Sequence, residues 1–287
     1  MRALTNVRYG PEEAGNLLDL YLPAADGPAP LVVWSSGSGW MRDDGKEAAG
    51  AVAPFFTARG YAVAGVSVRS SGQATFPAQL EDVEAAIGWL RENAGEHGLD
   101  PERFASMGNS SGGWVAVMAG LIAGVRAVVD FYGPTDFLQM DAHMLEGGAE
   151  FRAYLGIEGC HDDPGSPESR LVGGPIEERR EECARANPIT YVSPGAPPML
   201  ILHGQADPFV PHHQSELLFE ALNEHGNEAT FYSIPNVKHE HPYVTDPSRA
   251  AGFVVRETRG DDERVVEDAP PPTWETIERF VRAALGP

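Results

Sequence analysis

Two cysteines, Cys160 and Cys183, are all that 287 residues contain. That number rules out a disulfide framework, and neither residue belongs to a C-x-x-C pair or a His/Cys ligand cluster. Both lie in one irregular segment, where a single disulfide could join them, and two free thiols in a reducing cytoplasm are the favoured expectation. Cations are scarce as well: 21 Lys plus Arg face 42 Asp plus Glu, for a formal charge of -21, and lysine occurs only at Lys46 and Lys238. Such a field repels phosphate backbones, which excludes nucleic acid as a partner and disfavours strongly anionic substrates. No stretch approaches the roughly 20 apolar residues that span a bilayer, so no membrane partner is expected. Residues 1–8 lack the apolar core of a secretory signal, and the expected address is cytoplasmic. No His pair shows metal-ligand spacing, so neither a metal nor a cofactor is expected.

What is present is alternation. Hydrophobic residues make up 42% of the chain, an ordinary globular share, and the length suits one large α/β domain covering 1–287. Apolar runs at 17–22, 31–34, 62–68, 103–107, 125–131, 199–202 and 229–234 read as buried strands. Between them, 78–93 carries Val83, Ala86, Ile87 and Leu90 on one helical face behind Pro77. Residues 111–123, 213–225 and the stretch capped by Thr273 also read as helices. Repeated β-then-α units predict a mostly parallel central sheet flanked by helices. Two segments break the alternation. Residues 134–197 are loop-rich and dotted with Gly and Pro, a candidate lid inserted over the sheet edge where open α/β sheets bind ligands. Residues 248–272 suggest a small hairpin.

One pentapeptide carries the most chemistry. Gly108-Asn109-Ser110-Ser111-Gly112 is a G-x-S-x-G motif placed between strand 103–107 and the apolar helix that follows. Glycine at both ends permits the sharp turn that projects a serine hydroxyl, and the amide of Ser111 then opens the new helix. A serine hydroxyl needs a base to take its proton and an acid to orient that base. Asp207 follows strand 199–202 in His203-Gly-Gln-Ala-Asp207, and His239 follows strand 229–234 in Asn236-Val-Lys-His239. The order Ser110, Asp207, His239 is nucleophile, acid, base, each directly after a strand. The small-residue loop 35–39 supplies backbone amides for an oxyanion hole.

From about residue 16 to 285 the chain resembles the α/β-hydrolase serine esterases, in particular the acetyl-xylan- and feruloyl-esterase-like carboxylesterases related to hormone-sensitive lipase. The lead-in Gly98-Leu-Asp-Pro-Glu-Arg103 and the stretch from His203 to Pro211 both match that group's motifs. The resemblance implies the α/β-hydrolase fold and hydrolysis of small carboxylic esters of short-to-medium acyl chains. It implies Ser110 as nucleophile, Asp207 as acid, His239 as base, and oxyanion donors at Ser38, Gly39 and Ser111. One motif departs: in the group's H-G-G-G-W loop, Ser36 stands at the His and Ser38 at the middle Gly. Ser36 is too short to brace the loop as an imidazole would, and Ser38 restricts the backbone.

Plainer roles stand beside these. Ser110 is also a conventional helix N-cap, and Asp207 a turn aspartate before Pro208. Asp130 and Asp136 are rival acids after the wrong strand; His241, His212 and His213 are rival bases. His203 ends a buried strand and reads as a structural hydrogen-bonder. Trp40 and Trp114 flank the motif loops and are candidates for the substrate pocket, with core packing favoured for Trp114. Phe137, Phe151, Tyr154, Met140 and Met144 form either a ceiling over the substrate or the inserted segment's own core. The same triad serves amide or lactone hydrolysis and acyl transfer, and a silent binding protein could retain the fold. Monomer and homodimer are both open.

Overall fold

Side chains alternate between the two faces of a strand, so a strand buried on both faces reads as a continuous apolar run. A computed structural model of the chain, describing residues 1–12, 15–24, 27–260 and 262–286, shows this most fully for the strands at 29–35, 62–66, 127–131 and 199–204. The strands are β1 (Arg2–Arg8), β2 (Leu17–Leu22), β3 (Ala29–Ser35), β4 (Ala62–Val66), β5 (Leu99–Asn109), β6 (Ala127–Phe131), β7 (Met199–Gly204), β8 (Ala229–Ile234), β9 (Phe253–Arg259) and β10 (Asp262–Ala269). Among the described residues they form one sheet in the order β1-β2-β4-β3-β5-β6-β7-β8-β9-β10. The pairs from β4 to β8 are parallel, and antiparallel strands extend both edges.

Helices cover both faces: α1 (Ala49–Thr57), α2 (Ala78–Glu92), α3 (Ala94–His97), α4 (Ser111–Ile122), α5 (Ala149–Leu155), α6 (Pro167–Val172), α7 (Arg180–Ala186), α8 (His213–Glu224) and α9 (Trp274–Leu285). On one face Leu31, Val33, Met199 and Ile201 pack with Val83, Ile87 and Leu90 of α2, Trp114 and Met118 of α4, and Leu218 and Leu222 of α8. The intervening residues Val32, Trp34, Leu200 and Leu202 face the other way, against Val52 and Phe56 of α1 and Ile277, Val281 and Leu285 of α9. Each such fully buried side chain contributes on the order of 2 kcal/mol. Thr273 caps α9 by accepting the Thr276 N–H at 3.4 Å, and the spacing of Ile277, Val281 and Leu285 puts all three on one stripe.

Strand bounds differ from the periodicity in places. β5 is longer than 103–107 because Leu99 already pairs with Ala29, while Asp100 and Arg103 pair across the bend at 2.7 Å. β4 ends at Val66, two residues short of the apolar run 62–68. β1 and α1 were not legible: β1 is largely exposed on both faces, and α1 is Ala-rich with Pro54 inside it. β9 and β10 form a hairpin in which β9 pairs with β8, so the central sheet continues through it. Residues 134–197 contain α5, α6, α7 and short 3₁₀ turns. Cys160 and Cys183 are unpaired, and burial pushes the Cys183 thiol up to about 12. Among the described residues no helix is long and apolar enough to cross a membrane, and no group of three or more His, Cys, Asp and Glu suits a metal.

Candidate active site

Ser110 sits at the junction of β5 and α4 with φ 56° and ψ -129°, a left-handed conformation that costs a serine roughly 1–3 kcal/mol. The turn is held from both sides: the Ser110 N–H donates to Phe131 O at 2.8 Å, and Ser110 O accepts from Trp114 N at 3.1 Å. The flanking glycines are steric necessities. A Cβ on Gly108 would overlap Gly112 O, and one on Gly112 would overlap Ser35 O, because the elbow is packed against the end of β3. The strain holds the hydroxyl above the sheet edge, in the wall of a cavity of about 390 Å³.

Asp207 lies on the loop after β7, 1% exposed, and accepts four hydrogen bonds. Its Oδ1 takes the N–H groups of Phe209 at 2.8 Å and Val210 at 3.0 Å. Its Oδ2 meets His239 Nδ1 at 2.6 Å and His203 Nε2 at 3.2 Å. Burial alone would raise this carboxyl; the charges and hydrogen bonds of His239 and His203 outweigh burial and hold it below the usual carboxylate range. His203 is fixed in turn by Ser215 Oγ at 2.8 Å. His239 lies on the loop after β8, its ring 4.5 Å from Tyr132 and 5.4 Å from Phe209, and it lines the same cavity as Ser110. Among the described residues no hydrogen bond joins Ser110 Oγ to His239; such contacts commonly tighten only around substrate.

The loop 35–40 forms the facing wall. Gly39 has φ 60°, which favours glycine, whereas Ser38 has no left-handed backbone and carries its side chain without strain. A Cβ on Gly37 would overlap Asn109 O, so the loop and elbow touch backbone to backbone. The Ser38 N–H is already donated to Ser111 Oγ at 2.9 Å. The Ser38 amide, one of the expected oxyanion trio, thus already has an acceptor. Ser111 N lies in the first turn of α4, where amides lack helical acceptors. Ser36 does brace the loop: its Oγ accepts from Trp34 Nε1 at 2.9 Å and its N–H donates to Gly45 O at 2.7 Å.

The BD-FAE family model matches residues 18–222. The chain belongs to the BD-FAE family. A truncated carbohydrate esterase from gut microbiota is 30% identical, with a TM-score of 0.71 over 87% of this chain and 94% of that one. A bifunctional GH43-CE of Bacteroides eggerthii is 31% identical at TM-score 0.71, over 83% of this chain and 35% of that one. Esterase LipQ of Mycobacterium tuberculosis is 28% identical across 82% of this chain and 56% of its own length. This chain thus spans about half the length of the curated relatives it matches. The sheet order and flanking helices are those of the α/β-hydrolase fold.

In this BD-FAE chain the rival residues are engaged elsewhere. His241 Nδ1 meets the Tyr132 hydroxyl at 2.6 Å, and burial together with the nearby His239 lowers its imidazole to about 4. His212 meets Ser233 and His213 meets Glu216. Asp136 caps a 3₁₀ turn through Leu138 N, and Asp130 accepts from Gly133 N beneath the elbow. Trp114 does not line the cavity, which corrects its candidacy: it is fully buried, donates to Ala186 O at 2.7 Å and packs edge-on against Trp40 at 5.6 Å. Trp40 touches the cavity from the core side, being 2% exposed. Phe137 and Met140 are core, while Phe151 and Tyr154 line the cavity. Sequence reading missed Tyr132, whose strained φ of 47° directs its ring against His239, and Glu168 of the cavity wall with the buried His161 behind it. Tyr132 directly follows β6 at the edge that holds Ser110, and that position was the available signal.

Proposed function

We propose that this BD-FAE chain is a serine hydrolase that cleaves small, neutral carboxylic esters through an acyl-enzyme on Ser110. The 2.6 Å contact between Asp207 and His239, on a cavity shared with a strained Ser110, is the observation that carries this reading. Asp207 holds His239 with Nδ1 toward the carboxylate, leaving Nε2 as the base. His239 takes the Ser110 proton as Oγ attacks the ester carbonyl. The amides of Gly39 and Ser111 receive the oxyanion, each such donor contributing on the order of a hundredfold in rate. His239 then protonates the departing alcohol, and the same base activates the water that releases the acid.

Residues 134–197 act as a lid in this reading: Pro134, Phe151, Tyr154, Leu155 and Pro167 give the cavity its apolar side. The Lys238–Glu150 ion pair, at 2.9 Å, links that segment to the loop carrying His239. A cavity of about 390 Å³ favours short-to-medium acyl groups over long lipid chains. The likeness to a carbohydrate esterase supports a sugar as the alcohol part.

The test is hydrolysis of p-nitrophenyl acetate, butyrate and octanoate by the unmodified protein and Ser110→Ala. Turnover falling with chain length and lost in Ser110→Ala is expected. Turnover that survives Ser110→Ala, or none by the unmodified protein, defeats the reading.

A further inference from the structure

A buried acid–imidazole pair that ester cleavage leaves unused presents its acid to the cavity. α6 starts behind Ser166, whose hydroxyl accepts the Ser169 N–H at 3.1 Å, and this first turn lays Pro167 against the oxyanion loop. A Cβ on Gly39 would come within 3.0 Å of Pro167. The next residue, Glu168, therefore lines the cavity although it is only 3% exposed. Its Oε2 meets Nδ1 of the fully buried His161 at 2.7 Å. His161 is clamped in turn: the Ser166 and Ser169 hydroxyls donate to its carbonyl at 2.6 and 2.8 Å, Met144 Sδ lies 3.3 Å from its Nε2, and the Phe151 ring lies 4.2 Å from its own.

Glu168 is thus fixed through one oxygen. Its other oxygen, Oε1, takes no hydrogen bond from any described residue and is not sealed from its surroundings, and the residue that carries it lines the cavity. A buried carboxylate with an unused acceptor is expensive unless something donates to it. Arg42, the one Lys or Arg among the described residues of the cavity wall, pairs instead with Asp44 at 3.0 Å. We propose that Glu168, held by His161, is a specificity-determining acceptor for a hydrogen-bond donor, hydroxyl or ammonium, that the substrate carries close to its ester. This rests on the cavity being the ester site. A good hydrogen bond to a charged acceptor distinguishes donor-bearing from donor-free ligands by about ten- to a hundredfold.

Binding to Ser110→Ala protein, followed by titration calorimetry, tests this without turnover. The probes are propyl butyrate, its 2,3-dihydroxypropyl and 3-ammoniopropyl counterparts, and propyl 3-hydroxybutyrate, which place a donor on the alcohol or the acyl side. At least one donor-bearing ester is expected to bind about ten- to a hundredfold tighter than propyl butyrate. The ranking of hydroxyl against ammonium identifies the donor. In Ser110→Ala/Glu168→Ala the advantage is expected to collapse to about twofold or less, and the volume-preserving Glu168→Gln to reduce it if the alanine variant does not fold. Equal affinity for all four probes, or an advantage that survives loss of Glu168, overturns the proposal. Turnover of p-nitrophenyl butyrate by the unmodified protein separately decides the esterase reading, so the two failures are distinct.

Discussion

Asp130 offers a test of the packing beneath the elbow that needs no substrate. The carboxyl is fully buried on β6, facing Gly113 of α4 and Gly133. Oδ1 accepts the Gly133 N–H at 3.0 Å, and Oδ2 has no partner among the described residues. Burial, only partly opposed by that bond, raises the carboxyl from 3.8 to about 7. The folded value is above the unfolded one, so the stabilising contribution is complete below about pH 4 and is lost as pH rises through 7. At about 1.4 kcal/mol per pH unit, the fold loses about 3 kcal/mol through this group between pH 5 and pH 8. Asp130→Asn keeps the acceptor for Gly133 and cannot ionise. Relative to the unmodified protein it should therefore be about 3 kcal/mol better off at pH 8 than at pH 5, a change in Tm difference of roughly 6–12 °C. Urea unfolding of both proteins at pH 5, 6, 7 and 8 measures this directly. Parallel stability profiles would refute the claim that Asp130 is held protonated by burial.

Asp207→Asn should lower kcat by about 10⁴, since the amide no longer holds His239 with Nε2 as the base; steady-state kinetics on p-nitrophenyl butyrate reads it. The Asp207 carboxyl is held low, so its stabilisation is full above about pH 4 and lost as pH falls through the depressed value. Acid unfolding of Asp207→Asn should lack that slope. Ser111→Ala removes the acceptor of the Ser38 N–H and should cut kcat by about tenfold with KM nearly unchanged, as expected of an oxyanion-loop effect. Gly113→Ala would drive a Cβ into Asp130 Oδ1 and should destabilise by about 3 kcal/mol or more in urea unfolding. Combining it with Asp130→Ala should recover part of that loss, a non-additivity above about 0.5 kcal/mol.

The parts of the molecule legible in sequence are those whose signal is local. Continuous apolar runs flanked by turns mark β3, β6 and β7, because strands covered on both faces need apolar residues at every position. Ser110, Asp207 and His239 stand out because each residue type follows a strand. β1 has no apolar face to detect, and α1 has too much Ala and Gly to show one. The choice between His239 and His241 is a matter of loop conformation. Asn236 takes φ 59°, and three and five residues further on the chain sends one imidazole, His239, to Asp207 and the other, His241, to Tyr132. No spacing rule separates histidines two apart. The His161–Glu168 pair is hidden for a related reason: it forms inside an aperiodic segment, through contacts that depend on where α6 begins.

In loop 35–40, the candidate oxyanion loop, each departure from the motif is met by a neighbouring residue. Ser36 lacks the reach of an imidazole, yet it needs none, because Trp34 two residues earlier points its indole N–H at the Ser36 hydroxyl. Ser38 in place of glycine is harmless, because the left-handed turn falls one residue later, at Gly39. Its amide meets a hydroxyl that is itself a sequence feature, Ser111 directly after Ser110. The serines at 36, 38 and 111 are thus each engaged by a neighbour along β3 and the elbow. A loop braced by two serine hydroxyls rather than an imidazole remains rigid only while both bonds hold. Its dependence on Ser111 should therefore appear in kcat before it appears in global stability.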